Sequence, residues 1–149
     1  MKKIETRFLE VITAYYRLIT TNLRNYSFEG KEIGIDIFII DFLGKNPGAS
    51  MTKLASFLDI IPSTATKRID HLVDFGFVIR SSSKKDRRVV KIKLTKSGER
   101  LYENFLQNCL FTLDKIMEHF KEEELTSFLS IIERLMKLRE EMVPIFNQN

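Results

Sequence analysis

Two short stretches carry the residue types that could do chemistry, and in both it is recognition of phosphate and base edges. The first is SSSKKDRRVVKIKLT, residues 81–95, where Lys84, Lys85, Arg87 and Arg88 surround one acid, Asp86. Like charges this close repel one another unless something negative arrives to neutralise them. Such a tip can straddle phosphates or push a guanidinium into a narrow minor groove. Asp86 would orient an arginine and keep the tip from splaying in the free protein. The second stretch is PSTATKRIDHLVD, residues 62–74, with Ser63, Thr64, Thr66, Lys67 and Arg68 in its first half and Asp70 and Asp74 in its second. Hydroxyls can bond bases or phosphates, and Lys67 suits a guanine edge. The plainer reading of each hydroxyl is solvent-facing filler.

The elements that must hold these residues follow from periodicity. Ala65, Ile69 and Leu72 share one side of a helix over 62–75, so Ser63, Lys67, Asp70 and Asp74 point away from the core, with Thr64 and Thr66 on its flanks. Pro62 suits the first turn of that helix, because its missing N–H would be unpaired anyway. Upstream, Ser50 can cap a short helix with Leu54, Ala55 and Leu58 inward. Two short helices joined by about four residues form a helix-turn-helix. Downstream, Phe77–Ser81 and Val89–Leu94 alternate as strands, with Val90, Ile92 and Leu94 on one face and Val89, Lys91 and Lys93 on the other. The basic run is then a hairpin tip. Arg88 keeps register with the inward face and Arg87 with the solvent face; which of the two enters a groove stays open. The expected fold is mostly α with a small β-hairpin wing.

Outer helices complete the chain. Residues 4–23 space Ile4, Phe8, Val11, Ile12, Tyr15, Leu18, Ile19 and Leu23 helically, a polar loop RNYSFEGKE follows, and Ile35–Leu43 forms a second helix closed by GKNPG. Thr95 can cap a helix over roughly 97–119, and Lys121–Met142 makes the last one. The 97–119 helix is apolar on more than one stripe and so must be buried on more than one side. Because the module over 33–95 uses its own core, a second copy of the chain is the expected cover. A larger monomeric core is the alternative.

The whole-chain balance narrows the function further. The 149 residues carry a net charge of +4, with 44% hydrophobic and 30% charged residues, as in an ordinary globular domain. Charge is uneven: residues 51–100 hold 12 basic and 5 acidic groups, whereas 101–149 hold 5 and 9. A basic middle joined to an acidic tail suits a polyanion partner. With no Gly-rich phosphate loop, metal triad or nucleophile–base pair in view, enzymes are disfavoured. No cofactor is expected, and no metal either, although His119 with Glu118 and Glu123 could make a partial site. The single cysteine, Cys109, lies between Leu106 and Leu110 and reads as a buried structural thiol. The start MKKIETRFLE lacks the apolar core of a signal peptide, and IGIDIFIIDFL is too short for a bilayer, so no membrane is expected and the location reads as cytoplasmic.

At this point the sequence resembles a known family. The run DRRVVKIKLTKSG, Asp86–Gly98, looks like the Asp-x-Arg and Leu-Thr-x-x-Gly wing signature of MarR-type (multiple antibiotic resistance) regulators. KLASFL (53–58) and STATKRIDHLVDFG (63–76) are similar to that family's helix-turn-helix. Two positions depart from its pattern: Asp59 stands where glycine is usual in the turn, and Ile61 where a Ser/Thr cap is usual. The resemblance implies a single domain over 1–149, with a DNA-binding lobe at 33–100 and dimerisation helices at 1–32 and 101–149. It also implies a homodimeric regulator, a repressor, on double-stranded, pseudo-palindromic DNA. A small aromatic or amphipathic effector would bind in a cleft where Tyr15, Tyr16, Phe38 and Phe42 could stack; core packing is their plainer role. The alternative function is a winged helix used for protein–protein contact or for non-specific, architectural DNA binding.

Overall fold

Apolar spacing, caps and breakers place most of the helices where the sequence predicts them. The computed structural model describes residues 2–82 and 90–146. In order, these form α1 (Lys2–Arg24), β1 (Ser27–Phe28), β2 (Lys31–Glu32), a 3-10 turn (Gly34–Asp36), α2 (Ile37–Lys45), β3 (Ala49–Ser50) and α3 (Met51–Leu58). Then come α4 (Pro62–Asp74), β4 (Val78–Ser82), β5 (Val90–Leu94), α5 (Lys96–Met117) and α6 (Glu122–Phe146). Two compact units are present, Met1–Leu106 and Gln107–Asn149.

In the first unit, Ile37, Ile40 and Leu43 of α2, Leu54 of α3, Ile69 and Leu72 of α4, Phe77, Ile92 and Leu101 form one buried cluster. The sheet order is β3-β5-β4, antiparallel throughout, with Ala49 opposite Ile92 and Arg80 opposite Ile92 from the other side. Three small elements depart from expectation. RNYSFEGKE contains the ribbon β1–β2 rather than a plain loop, β3 adds a third strand to the expected pair, and the start of the second helix is a 3-10 turn. Val90, expected inward, is exposed, while Ile92 two residues on is fully buried.

Capping explains the ends. The Ser50 hydroxyl accepts from Lys53 N–H at 3.2 Å and starts α3. Asp59 closes that helix in the left-handed conformation, φ +53°, with its N–H on Ser56 O and Ile60 N–H on Ala55 O. This paired arrangement is the Schellman stop, usually made with glycine; Asp tolerates it better than most residues. Gly76 (φ +78°) makes the same stop after α4, with Gly76 N–H on Val73 O and Phe77 N–H on Leu72 O. Ile61 precedes α4 with no side-chain cap, leaving Pro62 to begin it.

The second unit holds the end of α5 and all of α6. Lys121 N–H donates to Glu124 Oε2 at 2.9 Å, which pins the first turn of α6. Many large apolar side chains are exposed along its helices, among them Leu110, Phe111, Leu113, Ile116 and Met117 on α5, and Phe128, Ile131, Leu135 and Leu138 on α6. Cys109 corrects an expectation: it is exposed, as are Leu110, Phe111 and Leu113 beside it on the second half of α5. No described helix is long and apolar enough to cross a membrane.

Candidate nucleic-acid interface

The candidate surface on α4 is built from its buried side outward. Ala65, Ile69 and Leu72 of α4 are fully buried, which turns Ser63, Thr66, Lys67, Asp70 and Asp74 to solvent and leaves Thr64 half-buried on the flank. Thr66 donates its hydroxyl proton to Pro62 O at 2.9 Å, so the oxygen retains acceptor capacity. Ser63 and Lys67 are one helical turn apart on the outer face. The outer face of the first half thus carries hydroxyls and a lysine at the positive end of a helix dipole, a suitable surface for phosphate and base edges, although Pro62 has no N–H and the Thr64 and Ala65 amides already bond Ile61 O.

Arg68 is the member of the predicted set that the structure turns aside. Its Nη1 donates to Asp36 Oδ1 at 2.6 Å, and His71 Nδ1 lies 3.3 Å from Asp36 Oδ2. Arg68 falls one residue past Lys67 and hence on the flank nearer α2, where a buried carboxylate draws it in.

The acidic half of α4 has its own partner. Arg80 of β4 pairs with Asp70 at 2.6 Å and approaches Thr66 O at 3.5 Å, so β4 is strapped to α4. Lys31 of β2 donates to Phe75 O at 2.6 Å and lies over the Phe77 ring at 4.8 Å, placing a cation at the C-terminal end of α4. Periodicity gave none of Asp36, Arg80 or Lys31 a role. The one available signal was Asp36, an acid in the inward phase of an apolar run.

Lys84, Lys85, Asp86, Arg87 and Arg88 lie outside the described residues. The base of the wing is described: β4 and β5 pair from Val78↔Leu94 to Ser82↔Val90, and Lys91 and Lys93 are exposed.

The expected cleft residues divide. Tyr15 and Tyr16 of α1 and Phe38 of α2 line one open groove of about 570 Å³, together with Ile35, Ile60 and Arg68. Phe42 does not join them; it is buried, its ring stacked on Phe57 with centroids 4.6 Å apart. Phe42 shares the face of Phe38 but lies one turn further along α2, where Phe57 of α3 meets it. Among the described residues no cluster of His, Cys, Asp and Glu could hold a metal ion.

Comparison with known proteins adds to this geometry. The sequence model of the MarR family matches residues 36–90, which span α2 through the start of β5. An HTH-type transcriptional regulator, BilQ of Clostridium symbiosum (strain WAL-14163), is 31% identical over 114 residues, covering 75% of this chain and 77% of the relative. Among solved structures, Streptococcus pneumoniae FabT in complex with DNA has a TM-score of 0.78 at 24% identity, over 95% of this chain and 98% of that one. A MarR family transcription regulator, SP03579, has a TM-score of 0.81 at 20% identity, over 97% of both chains.

Proposed function

We propose, for a chain that belongs to the MarR family of DNA-binding transcription regulators, that it acts as a homodimeric repressor on a pseudo-palindromic operator. The observation that carries the reading is the division of α4: one side is locked into the core by Ala65, Ile69 and Leu72, and the other offers Ser63, Thr66 and Lys67 to solvent. Such a helix presents its N-terminal half to the major groove, while the basic wing residues Lys84, Lys85, Arg87 and Arg88 neutralise the flanking phosphates. Two-fold symmetry sets the half-sites about 10 bp apart.

The Tyr15–Tyr16–Phe38 groove supports the second part of the proposal, release by a small aromatic or amphipathic ligand. It is mostly apolar, with Arg68 of the reading helix in its wall, so an occupant would contact α1, α2 and α4 together. A ligand shifts the equilibrium only by its differential affinity for the bound and free arrangements.

The first experiment is fluorescence anisotropy of the chain on DNA from upstream of its own gene against scrambled DNA, across salt. Preference for the upstream DNA with a steep salt slope is the expected result. Salt-sensitive binding without preference would favour an architectural role. No binding at low salt would overturn the operator reading and favour protein contact.

A further inference from the structure

Asp36 is a buried charged residue in an otherwise apolar core, at the last position of the 3-10 turn before α2. Both of its oxygens are engaged by α4. Arg68 Nη1 holds Oδ1 at 2.6 Å and His71 Nδ1 faces Oδ2 at 3.3 Å. Arg68 and His71 are three residues apart and share one face of the helix. The His71 ring packs on Phe75 at 4.2 Å, which fixes its plane.

These contacts do something that the apolar side of α4 cannot. Burial of Ala65, Ile69 and Leu72 holds the helix at its depth, but hydrophobic contact is non-directional and tolerates small slides and rolls. A buried carboxylate does not. It is costly unless its hydrogen-bond partners stay in place, so moving α4 along or about its axis would strand the charge.

The geometry points to Asp36 as a positioning residue for DNA readout: its carboxylate, through Arg68 and His71, sets the slide and roll of α4 and hence which base edges Ser63, Thr66 and Lys67 reach. This rests on the reading of α4 as the DNA-reading helix. It also gives Arg68 a role without a phosphate contact, since its guanidinium is committed to the core side.

The test uses the full chain and the Asp36→Asn variant, which keeps the shape of the side chain and removes its charge. The DNA is a duplex selected by the wild-type chain from a random pool, with a scrambled duplex of equal length as reference. Amide exchange over residues 62–75 should rise about tenfold in the variant, with β4 and β5 unchanged. Affinity for the selected duplex should fall about tenfold, and affinity for the scrambled duplex should stay within about twofold, because backbone contacts carry no sequence information. Unchanged exchange in α4 would overturn the proposal, as would a selected-to-scrambled ratio equal to wild type. Tighter binding of both duplexes would overturn it differently, by showing Arg68 to be a phosphate contact that Asp36 holds back. A wild-type chain that enriches no sequence would overturn the reading of α4 itself, and this proposal with it. If Asp36→Asn fails to fold, Arg68→Lys serves: it keeps the charge but not the guanidinium geometry, and the same pattern is expected at about threefold.

Discussion

At the scale of single residues, the Leu-Thr-x-x-Gly stretch shows why spacing matters. Thr95 donates its hydroxyl proton to Gly76 O at 2.6 Å and accepts from Gly98 N–H at 3.0 Å, so one side chain ties the stop of α4 to the start of α5. Gly98 is required because a Cβ there would overlap the Phe77 carbonyl oxygen, a backbone atom that is itself bonded to Thr95 N–H at 2.9 Å. Gly98→Ala should therefore cost about 1–3 kcal/mol, read as a lower urea midpoint with an unchanged slope. Ile61 points the other way. It is 66% exposed and stands at an uncapped helix start, so Ile61→Ser loses little burial and gains a cap. A gain of about 1 kcal/mol is expected in the same titration. Caps such as Ser50 and Thr95 were legible in the sequence because each acts within a few residues. The pairing of Asp36 with Arg68 was not, because the two are 32 positions apart and only the packed fold brings them together.

At the scale of elements, the helices were legible and the small strands were not. A helix over 62–75 repeats its apolar positions often enough to be recognised, whereas β1, β2 and β3 are two residues each and offer no period to read. The same limit explains Phe42. Its place on an apolar helix could be read, but whether it faced the groove or α3 depended on a packing angle that no local pattern contains. The proposed function divides along these elements. Lys67 is on α4 and exposed, so Lys67→Ala should relax sequence choice by about 1–3 kcal/mol at one base pair, measured with a panel of single-site duplex variants. Arg87 and Arg88 belong to the wing sequence, and replacing both by alanine should weaken binding to every duplex and flatten the salt slope. Equal losses on every sequence for both variants would refute the division into reader and wing.

At the scale of the whole molecule, the question is what covers the apolar faces that the single chain leaves open. In α6, Phe128, Ile131, Leu135 and Leu138 recur at alternating three- and four-residue steps, the spacing of a stripe made to be packed against, and Phe128 is 52% exposed. In α1, Ile4, Phe8 and Val11 repeat that spacing and are also exposed. Contiguous apolar surface of this kind marks an interface. In the proposed dimer a second copy of the chain is the occupant, and it would also meet the need of a two-fold operator, since one α4 would cover one half-site. Phe111 decides between this and a monomer, because it is 66% exposed. In a monomer, Phe111→Glu at such a position should change stability by no more than about 0.5 kcal/mol. In a dimer it buries an unpaired charge in an apolar contact, so the variant should sediment as one chain of 17.5 kDa where wild type sediments as two. Loss of the dimer predicts a second change in the same protein: affinity for an operator with both half-sites should fall to that for a single half-site, because the linked second contact no longer adds to the first. Wild type sedimenting as a single chain, or a monomeric variant that keeps full operator affinity, would refute the dimer as the DNA-binding unit.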